Sequence, residues 1–247
     1  MSRIGVHPFL DEVTRTASYV VTDPASQQAA IIDPVLGFEP LTGAVSTLSA
    51  DRMIRFLDDH QLQLEWLLET NSHVDHVSAP QYLKTQRGGL IGMSESIRPR
   101  HCLWLSANPP GSHFPATTEE VDYRFQDGEV VFLGHIEVEF MAAPGRLPAG
   151  ACYRIEDAVF VGHVLRIPEN ETPGTGLPGS NPRTWYRSIR KILSLPESTR
   201  LFVGHDSQSL TRDDIAWETT VLQEKRDTTH TNLIKETSHA MQRRHHR

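Results

Sequence analysis

The sequence predicts an α/β fold in which two strand-rich halves, each carrying helices, stack as a layered sandwich with the helices outside. Three observations carry this reading. Short apolar runs bounded by turn residues recur through both halves, the pattern of buried strands. Two longer stretches, Ala50 to His60 and Thr184 to Leu195, repeat apolar residues at helical spacing. No internal repeat and no long linker interrupts the 247 residues, so residues 1–247 are expected to form one domain with a polar tail from about residue 228.

The elements follow in order. Ala17 to Val21 and Ala29 to Ile32 flank the turn-rich Asp23-Pro24-Ala25-Ser26, which predicts an antiparallel hairpin ended by Asp33-Pro34. Residues 35–49 are rich in turn formers and read as an irregular loop. Ser49 is placed to cap the helix Ala50 to His60, whose Met53, Ile54, Phe56 and Leu57 form an apolar stripe. Leu64 to Leu68 is a compact strand, followed at once by Glu69-Thr70-Asn71-Ser72. The Pro- and Ser-rich stretch 93–120 predicts no element. Strands return at Phe125, Val130 to Leu133, Ile136 to Phe140, Ala151 to Ile155 and Ala158 to Val161. The amphipathic helix Thr184 to Leu195 sets Ile189, Ile192 and Leu193 on one face. After a strand at Leu201 to Val203, Thr211 is expected to cap a last long helix through about Arg226.

Composition removes several function classes. A hydrophobic share of 38% and a charged share of 22% belong to an ordinary globular chain rather than a disordered one. The formal charge of −7 argues against a nucleic-acid partner, which would need clustered Lys and Arg. No apolar run reaches the roughly 18 residues a membrane span needs. The opening MSRIGVHPFLDEV lacks a basic-then-apolar leader pattern, so a cytoplasmic location is expected. The two cysteines, Cys102 and Cys152, are too few for a disulfide scaffold and read as small buried apolar residues.

Thirteen histidines are many for this length, so their placement matters. His239, His245 and His246 fall in the polar tail, and His7, His60, His101, His113, His135 and His230 have no partners at ligand spacing. His73, His76, His163 and His205 are different. They lie in segments that follow predicted strands: Thr70 to His76, Pro144-Gly145-Arg146, Gly162-His163 and Gly204-His205-Asp206. Loops at strand ends are where a rigid sheet presents site residues. His73, Asp75 and His76 bring two imidazoles and a carboxylate together, ligand types that suit zinc, manganese or ferrous iron.

Taken together, these four segments resemble the metallo-β-lactamase superfamily, whose signature runs T-H-x-H-x-D-H, P-G-H-T, G-D and G-H. The stretches SYVVTDPASQQAAIIDPVLGFEP, HVDHVSAPQYLK and TWYRSIRKILSLPESTRLFVGHD are similar to its persulfide-dioxygenase-like and glyoxalase-II-like branch, over about residues 7 to 222. The resemblance implies a four-layer αββα sandwich, a small thiol or thioester ligand and a possible homo-oligomer. It also implies a metal centre with two sites. Asp75, His76 and His205 match the second site, with Asp75 and His205 in catalytic positions and His73 retained from the first site. Asn71, Arg146 and His163 stand where the pattern has histidine, histidine and the bridging aspartate.

Arg146 carries a fixed positive charge and no lone pair, so it opposes a cation and suits an anion or a carboxylate such as Asp75. The three changes fall on the positions that hold iron in persulfide dioxygenases, so that chemistry is not expected. Three outcomes remain open, the least favoured being metal-free acid–base work by the retained histidines with Arg146 stabilising an anion. One divalent ion, zinc, iron or manganese, sits on Asp75, His76, His163 and His205 and serves hydrolysis of a thioester or related acyl bond. Alternatively, no metal binds and the chain is an impaired or repurposed thiol-related binding protein, the expectation the substitutions favour. Tyr186 and Arg146 are the substrate-side candidates, Tyr186 because it matches a tyrosine that contacts thiol ligands in the resembled enzymes.

Overall fold

The computed structural model describes residues 4–12, 14–39, 44–71, 77–97, 121–165, 179–205 and 217–226. The first half runs β1 (Gly5–Leu10), β2 (Ala17–Asp23), β3 (Gln28–Ile32), β4 (Val35–Glu39), β5 (Ala44–Ser46), α1 (Leu48–Asp59), β6 (Gln63–Leu68), β7 (Val77–Ser78), α2 (Pro80–Arg87), β8 (Leu90–Ser94) and β9 (Tyr123–Phe125). The second runs β10 (Val130–Leu133), β11 (Ile136–Ala142), β12 (Ala151–Ile155), β13 (Ala158–Gly162), α3 (Pro182–Leu193), β14 (Arg200–Val203), β15 (Glu218–Thr220) and α4 (Val221–Arg226). Among the described residues these strands form two six-stranded sheets, β1-β2-β3-β6-β8-β9 and β10-β11-β12-β13-β14-β15, and a small sheet β5-β4-β7. The hairpin read from the sequence is β2–β3, antiparallel with Tyr19 opposite Ile32 and Val21 opposite Ala30.

Successive strand residues point to opposite faces, and here both faces are covered, which explains the nearly continuous apolar runs. Tyr19, Val21, Ala30, Ile32, Trp66 and Leu68 of the first sheet meet Val138, Phe140, Tyr153, Ile155, Phe160 and Phe202 of the second in one buried core. The alternate residues Val20, Ala29, Ile31 and Leu67 face outward onto Met53 and Leu57 of α1 and Leu83 of α2. On the far side Cys152, Val159, Val161, Leu201 and Val203 receive Ile189 and Ile192 of α3 and Val221 of α4. The layers are therefore helix, sheet, sheet, helix. Full burial pushes the Cys152 thiol pKa up, so this cysteine is a core residue rather than a nucleophile. Among the described residues no helix is long and apolar enough to cross a membrane.

Three local expectations are corrected. The stretch read as an irregular loop contains β4 and β5, paired with Gly37 opposite Ser46, and β4 also pairs with β7. Leu36 and Val45 of this hairpin pack beneath α1, a tertiary contact that local composition does not report. Helix α1 starts earlier than read, with Thr47 at the cap position. Ser49 instead donates to Asp11 Oδ2 at 2.6 Å, tying the helix to the β1–β2 turn. Finally, the last long helix is interrupted. Glu218 to Thr220 form edge strand β15 against β14, where Trp217 O accepts from Val203 N and draws this segment into the sheet, and among the described residues of that stretch Val221 to Arg226 are helical. Thr211 lies outside the described residues.

Three histidines without sequence partners acquire tertiary ones. His7 and His60 both pack on the Phe56 ring, at 4.6 and 4.1 Å between centroids. Burial, with His60 adding repulsion, lowers the His7 pKa. His135 lies beside Asp23, a buried carboxylate that also accepts from Ala25 N at 2.9 Å, Ser26 Oγ at 2.7 Å and His135 N at 3.1 Å. Burial alone would raise the Asp23 pKa, but these hydrogen bonds outweigh it and hold the group at about 2. A depressed carboxylate stabilises the fold above its unfolded pKa of about 3.9, and that stability is lost as pH falls through the folded value. Thermal midpoints measured as a function of pH are therefore expected to drop from about pH 4 toward pH 2, and Asp23→Asn should flatten that part of the curve. An unchanged slope in the variant would contradict the assignment.

Candidate metal and substrate site

Four strand ends converge. Glu69, Thr70 and Asn71 follow β6, Ala143 to Arg146 follow β11, His163 follows β13, and Gly204-His205 follow β14. Backbone bonds lock them together across the two sheets: Ala151 N donates to Thr70 O at 2.7 Å, Gly204 N to Gly162 O at 2.9 Å and Ala17 N to Gly204 O at 2.8 Å. Two buried tyrosines reinforce this. Tyr19 on the first sheet donates to Val203 O on the second, and Tyr153 on the second donates to Glu69 O on the first at 3.0 Å. Glycine is required at 162, where φ is +50° and a Cβ would lie 2.7 Å from Thr70 Cβ. That close approach sets His163 beside His205, with ring centroids 4.5 Å apart and planes at 83°.

His205 is oriented by the β1–β2 turn. Its Nδ1 lies 3.1 Å from Arg15 O. A carbonyl can only accept, so Nδ1 carries a proton, which leaves Nε2 as the nitrogen that can offer a lone pair. Arg15 holds a left-handed φ of 59°, which turns that carbonyl toward the imidazole. Asp11 fixes the turn by accepting from Thr14 N at 2.7 Å and Thr14 Oγ1 at 2.9 Å, while Asp11 N donates to Thr16 O at 2.9 Å.

A small cavity opens beside His163, lined by Thr70, Asn71, Arg146, Leu147 and Val164 among others. On one wall, Thr70 Oγ1 and Thr70 N donate to Asp33 at 2.6 and 2.7 Å, and Asn71 Nδ2 donates to Thr70 Oγ1 at 3.0 Å. On the other, the Arg146 guanidinium lies 5.8 Å from the Trp185 ring centroid, a cation–π distance. Trp185 is anchored by its indole N–H on Val164 O at 2.9 Å, and Asn181 N donates to Gly145 O at 2.7 Å, seating the start of α3 on the Arg146 turn.

The structure thus brings His163, His205 and Arg146 to one place. Tyr186 is half-buried on α3 with the Arg190 guanidinium 5.9 Å from its ring, and its neighbour Trp185 is the residue that reaches Arg146. His73, Asp75, His76 and Asp206 lie outside the described residues. Among the described residues no three His, Cys, Asp or Glu side chains form a metal cage. The two sides of the site fit a cation differently. Two imidazoles on one ion, each with a metal–nitrogen distance of about 2.0–2.1 Å, bring their rings within roughly 5 Å, a spacing compatible with the 4.5 Å between the His163 and His205 centroids. At Arg146 the fixed positive charge opposes an ion, so the geometry suits one metal rather than two.

Residues 12–205 match the Metallo-beta-lactamase superfamily. The chain belongs to the metallo-β-lactamase superfamily. Within it, the chain is 37% identical to the Beta-lactamase hydrolase-like protein of Xylella fastidiosa, over 94% of this chain and 54% of that protein. This chain therefore spans about half the length of that relative. It is 31% identical to Glyoxylase B2 of Dictyostelium discoideum, over 93% of this chain and 78% of that one. The fold also matches the crystal structure of ETHE1 from Myxococcus xanthus, with a TM-score of 0.69 at 22% identity, covering 91% of this chain and 83% of the other. The resemblance drawn from the motifs holds at the level of superfamily and fold.

From the sequence alone Asn71 reads only as a lost ligand, and Thr70, Asp33, Arg15 and Trp185 do not stand out as site residues. Thr70-Asn71 directly after a strand was a visible polar signal. Arg15 gave none, because it acts on His205 through its backbone carbonyl.

Proposed function

We propose that this chain is a hydrolase of the metallo-β-lactamase superfamily using one divalent metal ion, zinc, iron or manganese, on a thioester or related acyl bond in the cytoplasm. The observation that carries the reading is the pairing of His163 with His205, the latter oriented by the Arg15 carbonyl. An outer partner that fixes the tautomer is the usual support of a ligating histidine. His163 and His205 would hold the ion with Asp75 and His76, which match the family pattern by position. The chemistry such an ion supplies is Lewis acidity, with water ionising near neutral pH in its field. Arg146 sets a positive charge at the cavity, its guanidinium at cation–π distance from Trp185.

A second reading, a thiol-binding protein without turnover, is favoured by Arg146 and Asn71 occupying two family ligand positions. Metal content measured by plasma mass spectrometry on untagged protein purified without chelator separates the two, together with a thioester hydrolysis assay. About one ion per chain with turnover is expected. Absence of bound metal and of turnover after incubation with zinc, manganese and ferrous iron would leave the binding-protein reading.

A further inference from the structure

Arg15 sits where the backbone suits another residue better. Its φ of 59° lies in the left-handed region, where a side chain crowds its own backbone and glycine or asparagine is favoured. The carbonyl that this conformation turns toward His205 Nδ1, at 3.1 Å, belongs to the main chain, so glycine or asparagine would supply it with less strain. The orientation of His205 therefore explains the turn but not the side chain. Nor does the fold use the guanidinium fully. Its Nη2 is buried and donates to no acceptor among the described residues. The carboxylates nearest in sequence serve elsewhere: Asp11 accepts from Thr14 N, Thr14 Oγ1 and Ser49 Oγ, and Glu12 is exposed. A buried donor on a fixed positive charge calls for an acceptor, best of all a charged one. Strain retained together with an unmet charged donor, beside a site, points to a ligand.

We propose that Arg15 binds a carboxylate of the substrate, a few bonds from the part that reaches His205. The β1–β2 turn is fastened to the site residue by residue, with Arg15 O at His205 Nδ1, Thr16 bridged to His205, and Ala17 N donating to Gly204 O. The guanidinium is thus within one side chain's length of His205. Its planar fork matches a single carboxylate, whereas a phosphate dianion, with three oxygens to satisfy, calls for further donors. In a chain of formal charge −7, a cation at this position also gives an anionic molecule a place to approach. The carboxylate anchors the molecule and takes no part in bond making or breaking. That the anchored molecule is a thioester rests on the hydrolase reading, while the anion site itself does not.

N-acetylcysteine and its carboxamide are nearly the same shape, and only the first carries a carboxylate beside its thiol. Calorimetric titration of the wild-type protein is expected to show the acid binding about tenfold more tightly, the value of one charged hydrogen bond. Arg15→Gln should remove that preference by weakening the acid while leaving the affinity for the carboxamide as it is. Glutamine accepts the backbone, since Gln27 and Gln61 hold φ of 59° and 55°, and the main-chain carbonyl stays in place. Circular dichroism establishes that the variant folds. Arg15→Asn should also lose the preference and, free of ligand, raise the thermal midpoint, because asparagine relieves the left-handed strain. Binding of neither probe by the wild-type protein, equal binding of both, or a preference that survives Arg15→Gln overturns the proposal. So does a lowered midpoint in Arg15→Asn, which would mean that the guanidinium serves the fold. The expected pattern in a protein that hydrolyses no thioester keeps the anion site and removes the hydrolase reading. Thioester turnover with no preference for the acid does the reverse.

Discussion

His205→Ala is expected to lose bound metal and to cut thioester hydrolysis by more than about 100-fold, the upper end of what loss of an outer-shell partner alone costs. Alanine removes the imidazole that packs edge-on against His163 and that the Arg15 carbonyl orients. The backbone role of position 205 is kept, because its bridge to Thr16 and the bond from Ala17 N to Gly204 O involve no side-chain atom. The fold should therefore survive, with the thermal midpoint little changed, and the loss should appear in metal content and turnover together. His163→Ala is expected to act in the same direction, since the two rings share one side of the site. Full activity in His205→Ala would remove the metal-dependent mechanism proposed for this chain.

The central strands and two of the helices were legible because both rest on local pattern. Apolar runs such as Ala29 to Ile32 bury both faces, and Ile189 and Ile192 recur at helical spacing. What escaped depended on distant partners. Val35 to Glu39 look like loop until Leu36 is packed under α1, and Glu218 to Thr220 look helical until Val203 and Trp217 pair. The site divides in the same way. Convergence of Arg146, His163 and His205 followed from their places after strands. The fixed Asn71 amide did not, because it depends on Asp33, a residue of the neighbouring strand end that reaches Thr70 across the sheet. Nor did the orientation of His205, set by a main-chain carbonyl 190 residues away in sequence.

Gly162→Ala tests whether this convergence is held by close backbone approach. At φ +50° an added Cβ strains the backbone by about 1–2 kcal/mol, and here it also meets Thr70, with Cβ to Cβ at 2.7 Å. Thr70 cannot yield freely, since its N–H and hydroxyl both donate to buried Asp33 and its carbonyl accepts from Ala151 N. Overpacking of a fixed neighbour adds about 1–3 kcal/mol, so a total destabilisation of roughly 2–5 kcal/mol is expected. Gly128→Ala is the control. Gly128 has φ +82° but nothing within 4 Å of an added Cβ, so only the backbone strain remains. Denaturant unfolding of the two variants should differ by the collision alone. Gly162→Ala should additionally lose activity under conditions where it is still folded, because a displaced Thr70 releases the Asn71 amide and shifts His163 against His205. Equal stability losses in the two variants, with activity intact in Gly162→Ala, would mean that the strand ends are held apart from Thr70 and that the Asp33–Thr70–Asn71 hydrogen bonds do not shape the site.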